Sequence, residues 1–131
     1  LNVPLRVVVV DDAEDFRLIV GAIIGPHAVS IEVGGEAADG EEGLAVIRRQ
    51  RPDVAIIDLV MPRLNGVELT RHIRKELPDT KIILISAHAE EDAYRLMAAD
   101  SGAHAFVSNR VTTSSLLPAI LDVIRRPLSE S

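Results

Sequence analysis

Cysteine and tryptophan are absent from the sequence, and aromatic residues as a class are scarce. Without cysteine the chain can form neither disulfides nor thiolate metal sites. Two phenylalanines and one tyrosine cannot fill the core of a chain that is 47% hydrophobic, so the core must be aliphatic. No apolar run reaches the roughly 20 residues that cross a bilayer, and no signal-peptide pattern opens the chain. We therefore expect a cytoplasmic protein that does not bind membranes.

Basic residues are outnumbered, with 14 Lys and Arg against 20 Asp and Glu and a net charge of −6. Nucleic-acid-binding domains usually carry a basic surface, so this balance argues against direct nucleic-acid binding by this segment. The chain begins at Leu1 without a methionine and ends in the polar stretch 127–131. Both ends look cut. We expect one domain at 1–126 and a C-terminal linker or tail at 127–131, of the kind that leads to an output domain.

Short apolar runs alternate with helical patterns along the whole chain. Strands are predicted at 6–10, 31–34, 54–57, 82–85 and 105–108. Between and after them, apolar residues recur at helical spacing. Strands that alternate with helices in this way imply parallel pairing, right-handed crossovers and helices on both sheet faces. The sequence thus predicts an α/β fold, a flavodoxin-like doubly wound (βα)5 three-layer sandwich with parallel sheet order 2-1-3-4-5.

Several single residues carry expectations of their own. Asp39 with Glu42 three positions later is typical of an N-cap and predicts a helix that runs to about residue 49. Thr112 or Thr113 can cap the last helix, and Pro118 is tolerated if it lies near the first turn. Apart from His88, the histidines have no metal-ligand spacing and are expected at the surface: His27, His72 and His104.

Three acidic residues follow predicted strands, Asp11 and Asp12 after the first and Asp58 after the third. In the predicted order these strands are neighbours, and ligands of such sheets bind at the carboxyl ends of the strands. Like charges brought together raise one another's pKa, and a divalent cation relieves the repulsion. Carboxylate ligands without cysteine or a histidine cluster favour Mg²⁺. A carboxylate can also attack phosphorus to form an aspartyl phosphate. The simpler alternative is that Asp12 only caps the following helix.

These acids lie within motifs that resemble those of response regulator receiver domains of two-component signal transduction. The first-strand motif is VVVVDD, ending at Asp12, and the acceptor motif is DLVMPRLNG, beginning at Asp58. The fourth strand ends in SA at 86–87, and GAHAF at 102–106 precedes the position of the family's lysine. The resemblance covers roughly residues 6–126, and the acidic pair together with the acceptor motif makes it specific.

The resemblance implies a role for each acid. Asp58 is similar to the family's phosphoacceptor, and Asp11 and Asp12 are similar to its metal-binding pair, with Asp12 the more direct ligand. Asp58 and the backbone carbonyl of Val60 would complete the protein ligands of Mg²⁺. Val60 and His88 occupy positions at which the family tunes access of the hydrolytic water, so the apolar Val60 implies a long-lived phosphorylated state.

Further residues of the resemblance lie at the ends of the fourth and fifth strands. Ser86 and the Ala87 amide are similar to groups that donate hydrogen bonds to the phosphoryl oxygens, and Ser86 with Phe106 resembles the family's switch pair. Where the family usually has a lysine, this chain has Asn109, whose amide donates hydrogen bonds but carries no charge. The candidates for a replacement cation are Arg63 and Arg110.

As a receiver domain, the chain would accept its phosphoryl group from a sensor histidine kinase or a phosphotransfer protein. It would promote only its own phosphorylation and dephosphorylation and would not act as an enzyme on other substrates. The last strand and helix, with the helix before them, form the face that the family uses for partner docking or homodimerisation. The segment after the last helix is similar to linkers that lead to DNA-binding domains in transcription regulators.

Two other functions stay open at this point. Asn109 favours a degenerate receiver that works as a phosphorylation-independent protein-interaction module. A phosphotransferase or phosphatase with its nucleophile on the first strand is disfavoured, because such enzymes need a second acid two residues later and Ala13 follows Asp11 there. Asp12 and Glu14 keep that spacing formally available. Substitution of Asp58 separates this alternative from the receiver interpretation.

Overall fold

The computed structural model describes residues 4–61, 63–87, 91–108, 110 and 112–125. Strands and helices alternate along this part of the chain. They are β1 (Leu5–Val10), α1 (Glu14–Ile24), β2 (Ile31–Ala37), α2 (Gly40–Gln50), β3 (Val54–Asp58), α3 (Gly66–Glu76), β4 (Lys81–Ser86), α4 (Asp92–Ser101), β5 (Ala105–Ser108) and α5 (Thr112–Arg125). None of the described helices combines the length and the apolar character that crossing a membrane requires.

The described strands form one parallel sheet in the order β2-β1-β3-β4-β5, which confirms the predicted order. The inner strands consist mostly of apolar residues, and alternate residues of a strand point to opposite faces. Both faces of this sheet are therefore apolar. One face packs against α2, α3 and α4, and the other packs against α1 and α5. Val, Ile, Leu and Ala make up nearly all of both cores, as the scarcity of aromatic residues predicted. The doubly wound three-layer sandwich is therefore confirmed.

β2 continues past Gly34, where the sequence predicted its end. Its pairing with β1 shifts by one residue, because Val7 is opposite Val33 and Val8 is opposite Gly35. Gly34 is the extra residue of this irregularity, which has the character of a β-bulge. The glycine pair therefore marks a local disruption within the strand, and the prediction that it ends the strand was wrong.

Side-chain caps begin α2 and α3, the helices that follow β2 and β3. Asp39 Oδ1 accepts a hydrogen bond from the Glu42 N–H at 2.8 Å, and Glu42 Oε1 accepts one from the Ala38 N–H at 2.7 Å. This confirms the predicted N-cap of α2. At α3, Asn65 Oδ1 accepts from the Glu68 N–H at 2.9 Å and Glu68 Oε1 accepts from the Asn65 N–H at 3.3 Å. The bonds at α3 are reciprocal and form a capping box, and both sets of bonds fix the first turns of α2 and α3 at the carboxyl edge of the sheet.

Pro118 lies deeper in α5 than expected. The helix already includes Thr112 and Thr113, so Pro118 is its seventh residue and lies beyond the first turn. Proline has no amide hydrogen, and one intrahelical bond is lost at this position. The helix still continues to Arg125, because an apolar stripe packs it against the sheet. The fully buried residues of this stripe are Leu116, Ile120 and Val123.

His104 is buried, so the expectation of a surface histidine was wrong for this residue, although His27 and His72 are exposed. Its N–H donates to the Ile82 carbonyl at 2.8 Å. Its Nδ1 accepts a hydrogen bond from the Ile82 N–H at 3.0 Å. The imidazole thus takes the place of a backbone carbonyl where β4 and β5 begin to pair. A role of this kind depends on tertiary neighbours and leaves no spacing pattern in the sequence.

We predict that His104→Ala lowers the free energy of unfolding by about 2 kcal/mol, because the buried Ile82 N–H loses its acceptor. Urea denaturation followed by circular dichroism measures the change. His104→Asn supplies an amide oxygen as acceptor in place of Nδ1 and should recover part of the loss. The matched control is His72→Ala, at an exposed position, which should leave the midpoint unchanged. An unaltered midpoint for His104→Ala would contradict this role.

Candidate functional site

Three carboxylates meet at the carboxyl ends of β1 and β3. Asp11 and Asp12 are the two residues directly after β1, and Asp58 is the last residue of β3. One oxygen from each of the three side chains lies within 4.8 Å of the others. The sheet order accounts for this convergence, because β1 and β3 pair directly. The structure therefore brings together the three acids that the sequence singled out.

The main chain holds Asp11 in place. Its Oδ1 accepts a hydrogen bond from the Ala13 N–H at 2.8 Å, and its own N–H donates to the Ala37 carbonyl at 3.0 Å. Its side chain is buried, and burial is the largest effect that raises the pKa of Asp11, opposed by the hydrogen bond from Ala13. The neighbouring Asp12 carboxylate raises this pKa further. Asp11 is therefore a fixed acid whose ionised form is unfavourable without a compensating charge.

Asp12 does not cap α1. The N-cap position is Ala13, which makes no side-chain hydrogen bond to the helix. The simpler interpretation of Asp12 as a helix cap was therefore wrong. The side chain is exposed beside Asp11 and Asp58, where its charge raises the pKa of both. Of the three acids, it is the one most accessible to solvent.

Asp58 carries the strongest electrostatic perturbation of the three. Burial, which is the largest cause, and the Asp11 and Asp12 carboxylates together raise the pKa of Asp58 to about 7. The opposing contributions come from the backbone N–H groups of Val60 and Leu59, and the Val60 bond to Oδ1 measures 3.2 Å. A carboxyl group with this pKa is only partly ionised near neutral pH. A cation bound by the three acids would restore the full negative charge.

A glycine allows the chain to turn away tightly after Asp58. The Gly66 N–H donates to the Leu59 carbonyl at 2.9 Å, and the Leu59 N–H donates to the Ile85 carbonyl at 2.9 Å. A Cβ on Gly66 would overlap the Asp58 carbonyl oxygen. The start of α3 therefore lies directly against the end of β3. Gly66 belongs to the acceptor motif, but the motif alone does not predict this steric role.

Arg63 does not point its charge at the three acids. It adopts a positive φ of 69°, and its guanidinium lies 3.8 Å from Asp39 and 3.5 Å from Glu41. These ion pairs link the loop before α3 to the first turn of α2. The expectation that Arg63 could replace the missing lysine is not supported by this arrangement.

Arg17 makes contacts beside the site that were not predicted from the sequence. Its Nη1 donates to the Asp11 carbonyl at 2.6 Å, and its Nε donates to Glu36 Oε1 at 3.1 Å. The side chain is only 16% exposed, so the guanidinium ties the end of β1 to β2. The available signal was helical spacing, because Arg17 lies one turn after Ala13 and can reach back over the turn that begins α1.

The other predicted site residues that the structure describes lie on or just after β3, β4 and β5. Ser86 is buried at the end of β4, opposite Ser108 of β5, and Ala87 follows it as an exposed residue. The Val60 side chain is 55% exposed. Phe106 is half-buried on β5, opposite Leu84 of β4, and packs against the core beside α4. Residues that the sequence also singled out but that lie outside the described part of the chain are His88 and Asn109.

The fold and the acid cluster together define a doubly wound α/β domain with its site at the carboxyl edge of the sheet. The family model for the response regulator receiver domain matches residues 7–121. The chain belongs to this family, and it is a receiver domain of the two-component response regulators. The family resemblance inferred from the motifs is thereby confirmed.

Individual relatives agree with this membership. Response regulator protein VraR of Staphylococcus saprophyticus is 30% identical over 118 residues, which are 89% of this chain and 55% of that protein. Protein-glutamate methylesterase/protein-glutamine glutaminase 2 of Koribacter versatilis is 40% identical over 86% of this chain and 31% of its own. The chain thus spans about half, or less, of the length of these relatives. Among solved structures, the receiver domain of the putative response regulator NarL from Mycobacterium tuberculosis has 36% identity, coverage of 95% and 98%, and a TM-score of 0.87.

We predict that Asp58→Asn stabilises the fold above neutral pH by about 2 kcal/mol, since it removes a half-buried charge whose ionisation is unfavourable. Between about pH 4 and pH 7 the native Asp58 keeps a proton that the unfolded chain has lost, so the stability of the parent falls as pH rises. The gain of the variant should grow through this window and stay level above it. Denaturation at about pH 4 and about pH 8 measures it. A gain that is equal at both pH values would contradict the assignment.

Proposed function

We propose that this chain is a phosphoacceptor switch in which Asp58 takes a phosphoryl group from a sensor histidine kinase or a phosphotransfer protein. The observation that carries this proposal is the convergence of three carboxylates within 4.8 Å, with the pKa of Asp58 raised to about 7. Repulsion between crowded carboxylates destabilises a domain unless a bound cation compensates their charge. Family membership supplies the reaction class, and the geometry supports Asp58 as the acceptor because its carboxylate is the one at the end of β3.

The residues present fit a divalent cation of the Mg²⁺ type. Asp11, Asp12 and Asp58 offer only oxygen donors, and the backbone carbonyl of Val60 is the proposed further ligand. Mg²⁺ prefers such hard ligands and retains waters and phosphate oxygens in its remaining positions. When bound, it neutralises charge on the phosphoryl oxygens. The chain itself contributes the alignment, because hydrogen bonds from Ala13 and Val60 orient the Asp11 and Asp58 carboxylates.

The phosphoryl oxygens would be bound at the ends of β4 and β5. We assign to this role the Ser86 hydroxyl, the Ala87 amide and the Asn109 side chain. Ser86 already lies at the correct edge of the sheet, one strand away from Asp58. Movement of Ser86 towards the phosphoryl group would open space for Phe106, which is half-buried one strand further along. Phosphorylation at Asp58 would in this way change the surface near α4.

Asn109 favours a second candidate function. With an amide where the family usually has a lysine, the phosphoryl group lacks its usual positive side-chain partner. A degenerate receiver could then act as a phosphorylation-independent interaction module. The retention of all three converging acids argues for the phosphoacceptor instead. Asp11 is disfavoured as the nucleophile of the phosphatase alternative, because it is only 5% exposed, whereas Asp12 is exposed.

The partners proposed for the switch follow from its surfaces. On α4, Leu96 is 71% exposed and Met97 is 44% exposed, and Tyr94 and Phe106 lie nearby on the core side. This α4–β5–α5 face is the proposed docking site for a signalling partner or a second copy.

We further propose that the domain works in the cytoplasm without binding nucleic acid directly, that it extends over 1–126, and that 127–131 acts as a linker. Residues 126–131 lie outside the described part of the chain.

We predict that acetyl phosphate with Mg²⁺ produces one covalent phosphoryl adduct, because the acid cluster can align a small donor with Asp58. Intact mass spectrometry detects the adduct, and Asp58→Ala should abolish it. Asp53→Ala is the control for loss of a carboxylate elsewhere, because Asp53 lies just before β3, at the amino ends of the strands. If the folded parent forms no adduct but Asn109→Lys does, the native chain is the degenerate module.

We predict that Val60→Asn shortens the lifetime of the phosphorylated state by roughly tenfold, because an exposed amide beside Asp58 can orient water where valine excludes it. The decay of the adduct after removal of the donor measures this lifetime. Val60→Leu keeps the site apolar and should decay at the parental rate. Dephosphorylation of Val60→Asn no faster than the parent would count against this role of Val60.

A further inference from the structure

Arg17 connects the acidic site to the edge strand of the sheet. Its guanidinium donates to the Asp11 carbonyl through Nη1 and to Glu36 through Nε. The Arg17 side chain is mostly buried, whereas the Glu36 side chain is 52% exposed. A guanidinium presents its donors in a rigid planar fork, so two acceptors at fixed positions leave it little freedom. The end of β1 is therefore held from the side of β2.

The bulge in β2 directs Glu36 towards Arg17. Before the bulge, Val33 packs on the side of the sheet that α1 and α5 cover. With strict alternation from Val33, the Glu36 side chain would face α2 on the other side. Gly34 adds one residue to the strand, so Glu36 is instead opposite Val9, which packs on the side of α1 and α5. A shift of one residue reverses the face that a side chain occupies, and bulges of this kind re-aim side chains near sites.

Arg17 acts on the acids in two opposite ways. Burial raises the pKa of Asp11, and the positive charge of Arg17 is among the effects that oppose this rise. The same charge repels a cation that the acids would bind, although its pairing with Glu36 cancels part of the repulsion. The hydrogen bond to the Asp11 carbonyl favours binding, because it fixes the residue that carries the carboxylate. Groups that orient metal ligands typically change metal affinity by about 10- to 100-fold. The orienting effect should therefore be the larger of the two.

We propose that Arg17, anchored by Glu36, is a positioning residue for the cation site next to Asp58. It holds the turn after β1 so that the Asp11 and Asp12 carboxylates stay directed at Asp58. This role rests on the cation site of the proposed function, but it does not require that Asp58 be phosphorylated. It adds to the site one residue of α1 and one of β2 that touch neither the cation nor the phosphoryl group.

The Mg²⁺ affinity of Arg17→Met tests this role by the direction of the change. Isothermal titration calorimetry with magnesium chloride should give a dissociation constant about tenfold above that of the parent. Repulsion alone would lower the constant, since methionine removes a positive charge, and a purely structural role would leave it unchanged. Either of those results would overturn the proposal. Arg17→Lys keeps a donor for the Asp11 carbonyl and should recover part of the affinity.

Two substitutions of Glu36 separate its hydrogen bond from its charge. Glu36→Gln and Glu36→Leu both remove the charge, but only glutamine keeps an oxygen acceptor for Nε of Arg17. We expect Glu36→Gln to bind Mg²⁺ about fivefold more tightly than Glu36→Leu, which is the effect of one hydrogen bond of average strength. Equal dissociation constants would overturn the anchoring role of Glu36.

Arg48→Met is the matched control for the loss of a paired arginine. Arg48 makes a two-point contact with Glu76 at the ends of α2 and α3, away from the acids. Its loss should leave the Mg²⁺ dissociation constant at the parental value. Urea denaturation with Mg²⁺ and with EDTA gives a second comparison. Arg17→Met should reduce the stabilisation that Mg²⁺ adds, and Arg48→Met should not. Equal stabilisation in the parent and Arg17→Met would contradict the proposal.

Parallel treatment with acetyl phosphate separates this role from the proposed function. If Arg17→Met weakens Mg²⁺ binding but the parent forms no adduct, the phosphoacceptor function fails and the role of Arg17 stands. If the parent forms the adduct and Arg17→Met binds Mg²⁺ as the parent does, the function stands and the role fails. A parent that binds no Mg²⁺ would overturn the cation site and this role together.

Discussion

Repulsion between carboxylates at the ends of β1 and β3 is the constraint on which the rest of the site depends. The strand order β2-β1-β3 makes these strands neighbours, so Asp11 and Asp58 cannot move apart without breaking the sheet. Burial strengthens the effect, because a charge removed from water interacts more strongly with a like charge nearby. Hydrophobic packing of the strands, rather than the site itself, opposes this repulsion. The aliphatic core therefore supplies the stability that keeps the acids together.

The loops around the acids show how that repulsion is contained. Asp11 is held by main-chain hydrogen bonds and by the Arg17 guanidinium at its carbonyl, and this leaves its carboxylate oriented towards Asp58. On the other strand, the capping box of Asn65 and the absence of a side chain on Gly66 press the start of α3 against β3. Each of these contacts is local, and each fixes an atom next to an acid. Among the described residues, the contacts that position the acids thus lie at the starts of α1 and α3.

The sequence predicted the parts of this structure that have a local pattern, and it failed where the cause was tertiary. Strand order, the aliphatic core and the Asp39 cap each follow from periodicity or residue type, and the structure confirmed them. The convergence of the three acids followed from the strand order alone. The buried acceptor role of His104 depends on its meeting Ile82 across the sheet, and no spacing along the chain encodes that meeting. Helical spacing could have indicated the contact of Arg17 with the Asp11 carbonyl, but its bond to Glu36 depends on β2 lying beside β1, and no spacing along the chain encodes that.

The positions of the cations decide how the loss of the family's lysine affects the site. Arg17 is engaged with the Asp11 carbonyl and Glu36, and Arg63 is engaged with the first turn of α2. In the proposed function, charge neutralisation at Asp58 would therefore fall to a divalent cation, for which Asp11, Asp12 and Asp58 offer the ligands, or to Arg110, the other candidate, which lies just after β5. In the proposed switch, attack by the carboxylate needs this neutralisation, whereas movement of Ser86 depends on the groups that bind the phosphoryl oxygens. An amide in place of the family's lysine would then affect the switch more than the attack, so we expect phosphorylation and switching to be separable.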